Sequence, residues 1–330
     1  MRRRELLALL GSAAAVGWPL VPRAQALERM RRVGILMSTA ESDSREVANV
    51  AAFVQALEAL GWVGGRNLEI TQRWAAGDSA RMQANAQELV GLTPDAILVK
   101  GANLPAARWA TSTIPTVFVV LSDAVAQDYV ASFARPGGNI TGFASFEREL
   151  VGKRLDLLRQ MVPGMVGVLY IRSRRTGTDT RALLERIVAD AAAFGLAVTD
   201  GPAENEDDIR RAVETFARKP NGALVVAFDA FNTVHSTQIV TLAARYRLPA
   251  IYPLRLFTEA GGLLSYGFDQ TEQFRQAASY VDRVLRGEYP GDLPIQRPNK
   301  FELVINLGVA KALGLAVPST VLAVADEVIE

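Results

Sequence analysis

Residues 114–143 read IPTVFVVLSDAVAQDYVASFARPGGNITGF, and this stretch decides how the chain is organised. The short apolar run Thr116–Val120 has several β-branched residues and is bounded by Pro115 and by Ser122–Asp123. Such a run is typical of a strand buried on both faces of a parallel sheet. The run Arg135–Phe143 is rich in glycine and proline before it becomes apolar again. We interpret it as the place where the chain leaves one α/β unit and crosses to another.

The same order of elements precedes and follows this stretch. Apolar runs of strand length alternate with segments of helical periodicity from Val33 to Val120, and the alternation begins again at Met165 and continues to Tyr252. Alternating βα units with short loops predict a doubly wound parallel sheet in each half. The fold class that we predict is therefore α/β, with two lobes of similar architecture.

Three short linkers are predicted to carry the chain between the lobes and to form a three-strand hinge. They lie at residues 143–146, 268–271 and 300–301. A helix is predicted beyond the second linker, over Glu272–Arg286, and a strand beyond the third, over Phe301–Asn306. We therefore assign residues 27–144 plus 271–301 to the N-terminal lobe and residues 145–270 plus 302–330 to the C-terminal lobe.

Local signals set several further boundaries. A first buried strand is predicted over Val33–Met37, and the helical spacing of Val47–Leu60 predicts a helix that Gly61 ends. Ser79 is the predicted N-cap of the next helix. Residues Phe228–Asn232 are predicted to form a loop after a buried strand.

Residues 1–26 have the features of an export signal. Arg2–Arg4 precede an apolar run over Leu6–Leu20, and Ala24–Ala26 forms a small-x-small cleavage site. The adjacent arginines also fit a twin-arginine signal loosely. A frayed helix or a membrane anchor is the alternative, but the run is shorter than the ~20 residues of a membrane span. We therefore expect an exported, periplasmic protein whose mature chain is not inserted in a membrane.

The composition excludes several kinds of site. The 330 residues include no cysteine, so disulfides, thiol catalysis and zinc–thiolate sites are excluded. The single histidine, His235, excludes a site built from several imidazoles, and a surface or capping role is the more common one for a lone histidine. The formal net charge is +1 with no basic stripe, which gives no support to nucleic-acid binding.

Catalytic and cofactor motifs are also missing. The first strand runs into Ser38–Ala40 rather than a Gly-x-Gly-x-x-Gly turn, and Gly137–Gly138 is not followed by the Gly-Lys-Ser of a phosphate-binding loop. No Gly-x-Ser-x-Gly elbow occurs. We therefore expect a protein that is not an enzyme and has no cofactor or metal.

Ligands of open parallel sheets bind beyond the carboxyl ends of the strands, so two facing lobes would enclose a cleft. Helix N-termini and hydroxyl groups there suit a carboxylate, an aspartate suits an ammonium, and aromatic rings suit an apolar body. Capping by each aspartate and core packing of each aromatic ring remain open alternatives. The predicted ligand-binding residues are Ser38, Gly101, Asn103, Ser122, Asp123, Phe146, Phe228, Asp229, Tyr252 and Asp269.

Four stretches carry a resemblance to a known family. They are Ala131–Gly142 (ASFARPGGNITG), Arg247–Tyr252 (RLPAIY), Glu259–Gly267 (EAGGLLSYG) and Lys300–Leu315, which includes KFELVINL and AKALGL. On these residues the chain resembles the periplasmic substrate-binding proteins of ABC importers, including the tryptophan/tyrosine type, which have the type I periplasmic binding fold. The family usually has Asp-Pro-Val where this chain has Asp123–Val125 (Asp-Ala-Val).

The resemblance implies that two lobes close over one small molecule and that the closed form docks on a membrane permease. The implied partners are a small-molecule ligand and the permease and ATPase subunits of an ABC importer, and we expect a monomer. A ligand with a carboxylate and an apolar group, such as an amino acid, suits the predicted cleft. The alternatives are a sensor that signals to a receptor and, on weaker grounds, an exported α/β enzyme.

Overall fold

Two β-sheets organise the chain, one in each lobe. The computed structural model describes residues 29–121, 128–145, 147–174 and 179–330. The first sheet has five parallel strands in the order β2-β1-β3-β4-β5. Its strands are β1 (Arg31–Met37), β2 (Leu68–Trp74), β3 (Ala96–Lys100), β4 (Thr116–Leu121) and β5 (Ile140–Ala144).

The second sheet has seven strands in the order β12-β11-β10-β9-β8-β6-β7. Its strands β6 to β10 repeat the order of the first sheet, so β6 is the equivalent of β1. The strands are β6 (Gly167–Ser173), β7 (Ala197–Ala203), β8 (Gly222–Val226), β9 (Ala250–Tyr252), β10 (Leu264–Phe268), β11 (Phe301–Asn306) and β12 (Glu327–Ile329).

Helices cover the sheets, as the α/β prediction requires, and none in the described ranges is long and apolar enough to cross a bilayer. The first sheet is packed by α1 (Ser44–Ala59), α2 (Ser79–Gly91), α3 (Leu104–Ala110) and α10 (Gln270–Leu285). The other helices are α4 (Glu147–Met161), α5 (Asp179–Ala193), α6 (Glu206–Phe216), α7 (Ala230–Val234), α8 (Ser236–Arg245), α9 (Arg255–Glu259), α11 (Leu307–Leu313) and α12 (Ser319–Leu322).

Strand β4 is buried along its whole length, as its apolar sequence predicts. Successive side chains of a strand point to opposite faces. Val117 and Val119 therefore pack with Phe53 and Phe274 of α1 and α10. Phe118 packs on the other face with Leu89 of α2 and with α3. This buried strand, covered by helices on both faces, is part of the sheet that forms the central layer of the first lobe.

The predicted α/β fold class is confirmed, but the structure corrects several details. Residues 140–144 are a fifth strand rather than part of the exit alone, and α4, which no prediction included, follows at once. Asp78, not Ser79, caps α2, because its carboxylate accepts from the backbone N–H groups of Ala80 and Arg81. The predicted loop at residues 228–232 contains the start of α7.

Gly142 shows why the new strand can be glycine-rich. Its φ is +152°, and a Cβ there would lie 2.1 Å from the carbonyl oxygen of Phe118 on β4. Only glycine permits so close an approach of two backbones. The glycine that suggested an irregular exit therefore marks a tightly packed strand.

The second sheet is not wholly parallel, because β11 runs antiparallel to β10. The chain leaves the second lobe after the carboxyl end of β10 and builds α10 on the first lobe. It returns past Gln296, whose N–H donates to Gly142 O at 2.9 Å, and enters β11 beside the end of β10. A strand that enters at the carboxyl edge of a parallel sheet must run the opposite way.

Candidate ligand-binding cleft

The carboxyl edges of the two sheets lie on the same side of the hinge. We call the three predicted linkers, at residues 143–146, 268–271 and 300–301, the first, second and third crossings. The first crossing leaves the first lobe at the carboxyl end of β5, and the second leaves the second lobe at the carboxyl end of β10. Arg45 of α1 and Glu259 of α9 form an ion pair of 3.4 Å between the lobes. These helices follow β1 and β9, so the contact joins the two edges. The two edges on which the sequence places the predicted cleft therefore lie near each other.

Gly101 and Asn103 form a compact turn at the end of β3. A Cβ on Gly101 would lie 2.4 Å from the carbonyl oxygen of Val120, so no side chain fits there. Asn103 is fully buried, and its Nδ2 donates to Leu36 O at 3.0 Å. Ser38, which follows β1, is 6% exposed. The structure therefore brings three predicted residues together at the edge of the first sheet.

Asp229 lies at the equivalent edge of the second sheet and caps α7. Its Oδ1 accepts from the N–H of Asn232 at 2.7 Å, and its Oδ2 accepts from the N–H of Ser173 at 2.9 Å. Burial of the carboxyl group raises the pKa of Asp229 to about 6, although these backbone donors oppose the shift. The group is therefore an anion at neutral pH, and it already accepts hydrogen bonds from backbone N–H groups of α7 and of β6.

Phe228 lies at the base of the hinge. Its ring meets the ring of Phe268 edge to face, with centroids 5.4 Å apart. Phe228 packs against the hydrophobic cluster that contains Phe268 together with the core of the first lobe, and also against a cluster of the second lobe. This predicted cleft residue therefore lies beside the second crossing, next to Phe268.

The side chain of Tyr252 is buried in the core of the second lobe rather than exposed at the edge of the sheet, where the prediction placed it. The residue is 1% exposed, and its ring stacks on Phe257 with centroids 5.0 Å apart. Gly262 makes room for the ring, since a Cβ there would lie 2.4 Å from Tyr252 Cε2. Burial raises the pKa of the phenol of Tyr252. Its position at the end of a strand suggested the cleft, but its side chain faces the helix layer.

Asp269 lies at the second crossing and has a structural partner. Its carboxylate accepts from the N–H of Glu272 at the start of α10, and it pairs with Lys300 Nζ at 2.9 Å. Asp269 therefore connects the second crossing to the third. The remaining predicted site residues, Ser122, Asp123 and Phe146, lie outside the described residues, as does the predicted signal at 1–26.

Asn232 is a residue of this edge that the sequence reasoning missed. It is fully buried, and its Nδ2 donates to Ile171 O and to Ala227 O, each at 3.1 Å. Neither its Oδ1 nor that of Asn103 has a hydrogen-bond partner among the described residues. An asparagine shortly after the third strand of each half was the available signal.

A polar cluster in the first lobe was also missed. Lys100, at the end of β3, pairs with Glu46 of α1, and both side chains are largely buried. Asn49 Nδ2 lies 3.5 Å from Glu46, and the hydroxyl of Thr271 donates to Asn49 Oδ1 at 2.7 Å. The cluster therefore links the edge of the sheet to the second crossing. Its signal in the sequence is a lysine that ends an otherwise apolar strand.

His235 has the structural role that was expected. It lies between α7 and α8, with its Nδ1 2.8 Å from Phe231 O and its ring 4.2 Å from the ring of Phe231. Within the described residues, no group of three or more histidine, cysteine or acidic side chains is arranged to hold a metal ion.

The fold defines a class of two-lobed α/β proteins, and comparison with known proteins gives the family. The chain belongs to the family of ABC transporter substrate binding proteins, whose family model matches residues 32–329. This confirms the resemblance seen in the sequence. The family is one of binding proteins and not a class of enzymes.

A curated relative is the tyrosine-binding protein of Clostridioides difficile (strain R20291). It is 26% identical to this chain over 267 residues, which is 80% of this chain and 75% of the relative.

Solved structures share the fold. A conserved domain protein from Vibrio cholerae is 26% identical, with a TM-score of 0.83, and the match covers 91% of this chain and 100% of that one. The ABC domain from Streptococcus pneumonia in complex with L-Trp also has a TM-score of 0.83, at 21% identity and with the same coverage. Both confirm the two-lobed α/β architecture.

Proposed function

We propose that this chain binds an aromatic amino acid between its lobes and delivers it to the permease of an ABC importer. One observation carries the proposal. The carboxyl edges of the two sheets, each of which carries polar side chains, lie near each other beside the aromatic pair Phe228 and Phe268. The tyrosine-binding relative supports the choice of ligand, because it matches most of this chain. The structural neighbour solved in complex with L-Trp also supports an aromatic amino acid as the ligand.

The chemistry of the cleft suits such a ligand. In the proposal, the anionic Asp229 attracts the ammonium group from the second lobe, and the amide oxygens of Asn103 and Asn232 accept hydrogen bonds. Ser38, at the start of the turn that precedes α1, faces the carboxylate. The ring of Phe228, with Phe268 behind it, offers an apolar face to the aromatic side chain. Ser122, Asp123 and Phe146 complete the proposed site.

Binding would shift the population of closed molecules. A ligand that touches both lobes makes its full set of contacts only when they are closed, so it stabilises that state by its difference in affinity. In the proposal the protein is an exported, periplasmic monomer, and its closed form is the one that the permease and ATPase subunits recognise. In the proposal, the boundaries between the two lobes lie between residues 144 and 145, 270 and 271, and 301 and 302.

A thermal-shift panel tests the ligand. The mature chain is unfolded, dialysed and refolded to remove bound ligand, and is then heated with L-tyrosine, L-tryptophan or L-alanine. Ligand at ~100 times Kd stabilises the fold by about 2.7 kcal/mol, so the aromatic amino acids should raise Tm and alanine should not. An unchanged Tm with both aromatic amino acids would contradict the proposal.

Two analogues and two variants test the proposed contacts. Tyramine lacks the carboxylate and 3-(4-hydroxyphenyl)propionate lacks the ammonium, so each should bind less tightly than L-tyrosine. Asp229→Asn should remove the preference for the ammonium group. Asp207→Asn is the matched control, because Asp207 is an exposed carboxylate in the first turn of α6 in the same lobe. Equal losses in the two variants would count against Asp229 as a ligand contact.

A further inference from the structure

Gln273 connects the first two crossings from the side of the first lobe. It lies in the first turn of α10, directly after the second crossing, and is 2% exposed. Its Nε2 donates to Ala144 O at 2.8 Å, at the end of β5 and directly before the first crossing. One buried amide side chain therefore joins the helix that follows the second crossing to the strand that precedes the first.

Arg154 makes the reciprocal connection in the second lobe. It lies on α4, after the first crossing, and its Nε donates to Tyr266 O at 2.7 Å on β10, before the second crossing. The same guanidinium holds Glu147, the first residue of α4, with bonds of 2.7 and 3.2 Å. Both side chains of this ion pair are almost completely buried. Arg154 thus links the helix that follows the first crossing to the strand that precedes the second.

The second contact of Gln273 lies at an irregular point of the first sheet. Its Oε1 accepts from the N–H of Val120 at 3.0 Å. Val120 has a φ of +58°, which is strained for a β-branched residue, and the register between β4 and β5 shifts there. The N–H of a bulged residue is left out of the ladder, so Gln273 supplies the partner that the sheet does not.

We propose that Gln273 and Arg154 are positioning residues that form a hinge clamp. Gln273, on the helix after the second crossing, binds a backbone carbonyl just before the first crossing. Arg154, on the helix after the first crossing, binds a backbone carbonyl just before the second. The first two crossings therefore change shape together when the lobes move. The hinge clamp depends on the two-lobed fold and not on the identity of the ligand.

The third crossing is held in a different way. Lys300 pairs with Asp269 across the second and third crossings, and more than half of the lysine side chain is exposed. Exposed ion pairs contribute little, because water and salt screen them. Lys300→Met is therefore the matched control for Arg154→Met, since both changes remove a cation that ties two crossings.

The distance between the lobes in the ligand-free protein tests the hinge clamp. The natural chain contains no cysteine, so spin labels at Gln83→Cys on α2 and Thr215→Cys on α6 are the only labels, and both sites are exposed. Gln273→Met and Arg154→Met should each broaden the distance distribution by about twofold, because one crossing is then free to move without the other. Lys300→Met should leave the width unchanged.

Milder variants keep the test decisive if a methionine variant does not fold. Gln273→Glu retains an acceptor for Val120 but cannot donate to Ala144 when ionised, and Arg154→Lys retains a charge for Glu147 but loses the planar donor to Tyr266. Each should broaden the distribution. A general loss of stability is controlled by Phe53→Leu, which removes packing in the first lobe without touching a crossing.

Widths that equal the parent value in both folded mild variants would overturn the hinge clamp. Equal broadening in Phe53→Leu would also overturn it, because the effect would then follow from stability alone. No ligand is present in these measurements, so they are independent of whether L-tyrosine binds.

Discussion

Asn103 and Asn232 occupy equivalent positions in the two lobes and make the same hydrogen bond. Asn103 Nδ2 donates to Leu36 O near the end of β1, and Asn232 Nδ2 donates to Ile171 O near the end of β6, at 3.0 and 3.1 Å. Both asparagines are fully buried. The carboxyl edge of each sheet is therefore built with the same device, which positions the loops on both sides of the cleft.

Loss of either asparagine amide should destabilise the fold. Asn103→Asp and Asn232→Asp keep the shape of the side chain but lose the Nδ2 donor to Leu36 O and to Ile171 O, and each places a carboxyl group in a fully buried position. We expect each to lower the free energy of unfolding by about 1–3 kcal/mol. Urea denaturation measures the change, with Gln87→Glu at an exposed position of α2 as the control. Midpoints equal to those of the parent chain would show that these bonds do not support the strand ends.

The buried pair Glu147–Arg154 should depend strongly on both partners. Removing Arg154 alone, as Arg154→Met, leaves Glu147 buried without its cation and should cost about 3–5 kcal/mol. The double variant Arg154→Met/Glu147→Gln should cost less than the single one, because no uncompensated charge remains. A double-mutant cycle in urea measures this. A double variant whose loss equals the sum of the single losses would contradict the account.

The buried carboxyl of Asp229 should give the stability a characteristic pH dependence. Its pKa is about 6 in the folded chain and 3.8 when exposed, so folding favours the neutral form. Well below pH 3.8 both states are protonated and there is no penalty; well above pH 6 both are ionised and the full penalty applies. The free energy of unfolding should therefore fall by up to about 3 kcal/mol from this group as the pH rises from about 3 to about 7.

The comparison of Asp229→Asn with the parent chain isolates that contribution. The variant has no ionisable group at this position, so its stability relative to the parent chain should rise across the same pH range. For Asp207→Asn, stability relative to the parent chain should change with pH in the opposite direction, because Arg210 lowers the pKa of Asp207 in the folded chain. A difference between Asp229→Asn and the parent that does not change with pH would mean that the carboxyl is not desolvated.

Gly101 should not tolerate a side chain. In Gly101→Ala the new Cβ would meet backbone atoms of β4, which cannot move aside as a flexible side chain can. Overpacking of this kind typically costs about 1–3 kcal/mol. Gly91→Ala, at the end of α2, meets open space and should be neutral or stabilising. Equal stability of the two variants would show that the turn after β3 is looser than described.

Much of the architecture could be predicted because it rests on local patterns. The apolar run at Thr116–Val120 predicted a strand buried on both faces, and the order of elements after Met165 predicted a second lobe; the structure confirms both. The antiparallel β11 could not be predicted from its own residues. Its direction follows from where the returning chain meets the sheet, which is a long-range property.

The cleft was less predictable than the fold. Position at a strand end suggested Tyr252, but the side of the strand on which a side chain lies depends on register and packing, and here the ring enters the core. Gln273 and Arg154 were not predicted at all, since their partners are backbone carbonyls far away in the sequence. Such contacts leave no local pattern in the chain.

Calorimetric titration of the refolded, ligand-free mature chain with L-tyrosine and L-tryptophan tests whether the protein binds an aromatic amino acid. We expect saturable binding of at least one of them with one ligand per chain, and weaker binding by Asp229→Asn than by Asp207→Asn. An absence of binding heat for both amino acids at several temperatures, in a chain shown to be folded, would contradict it.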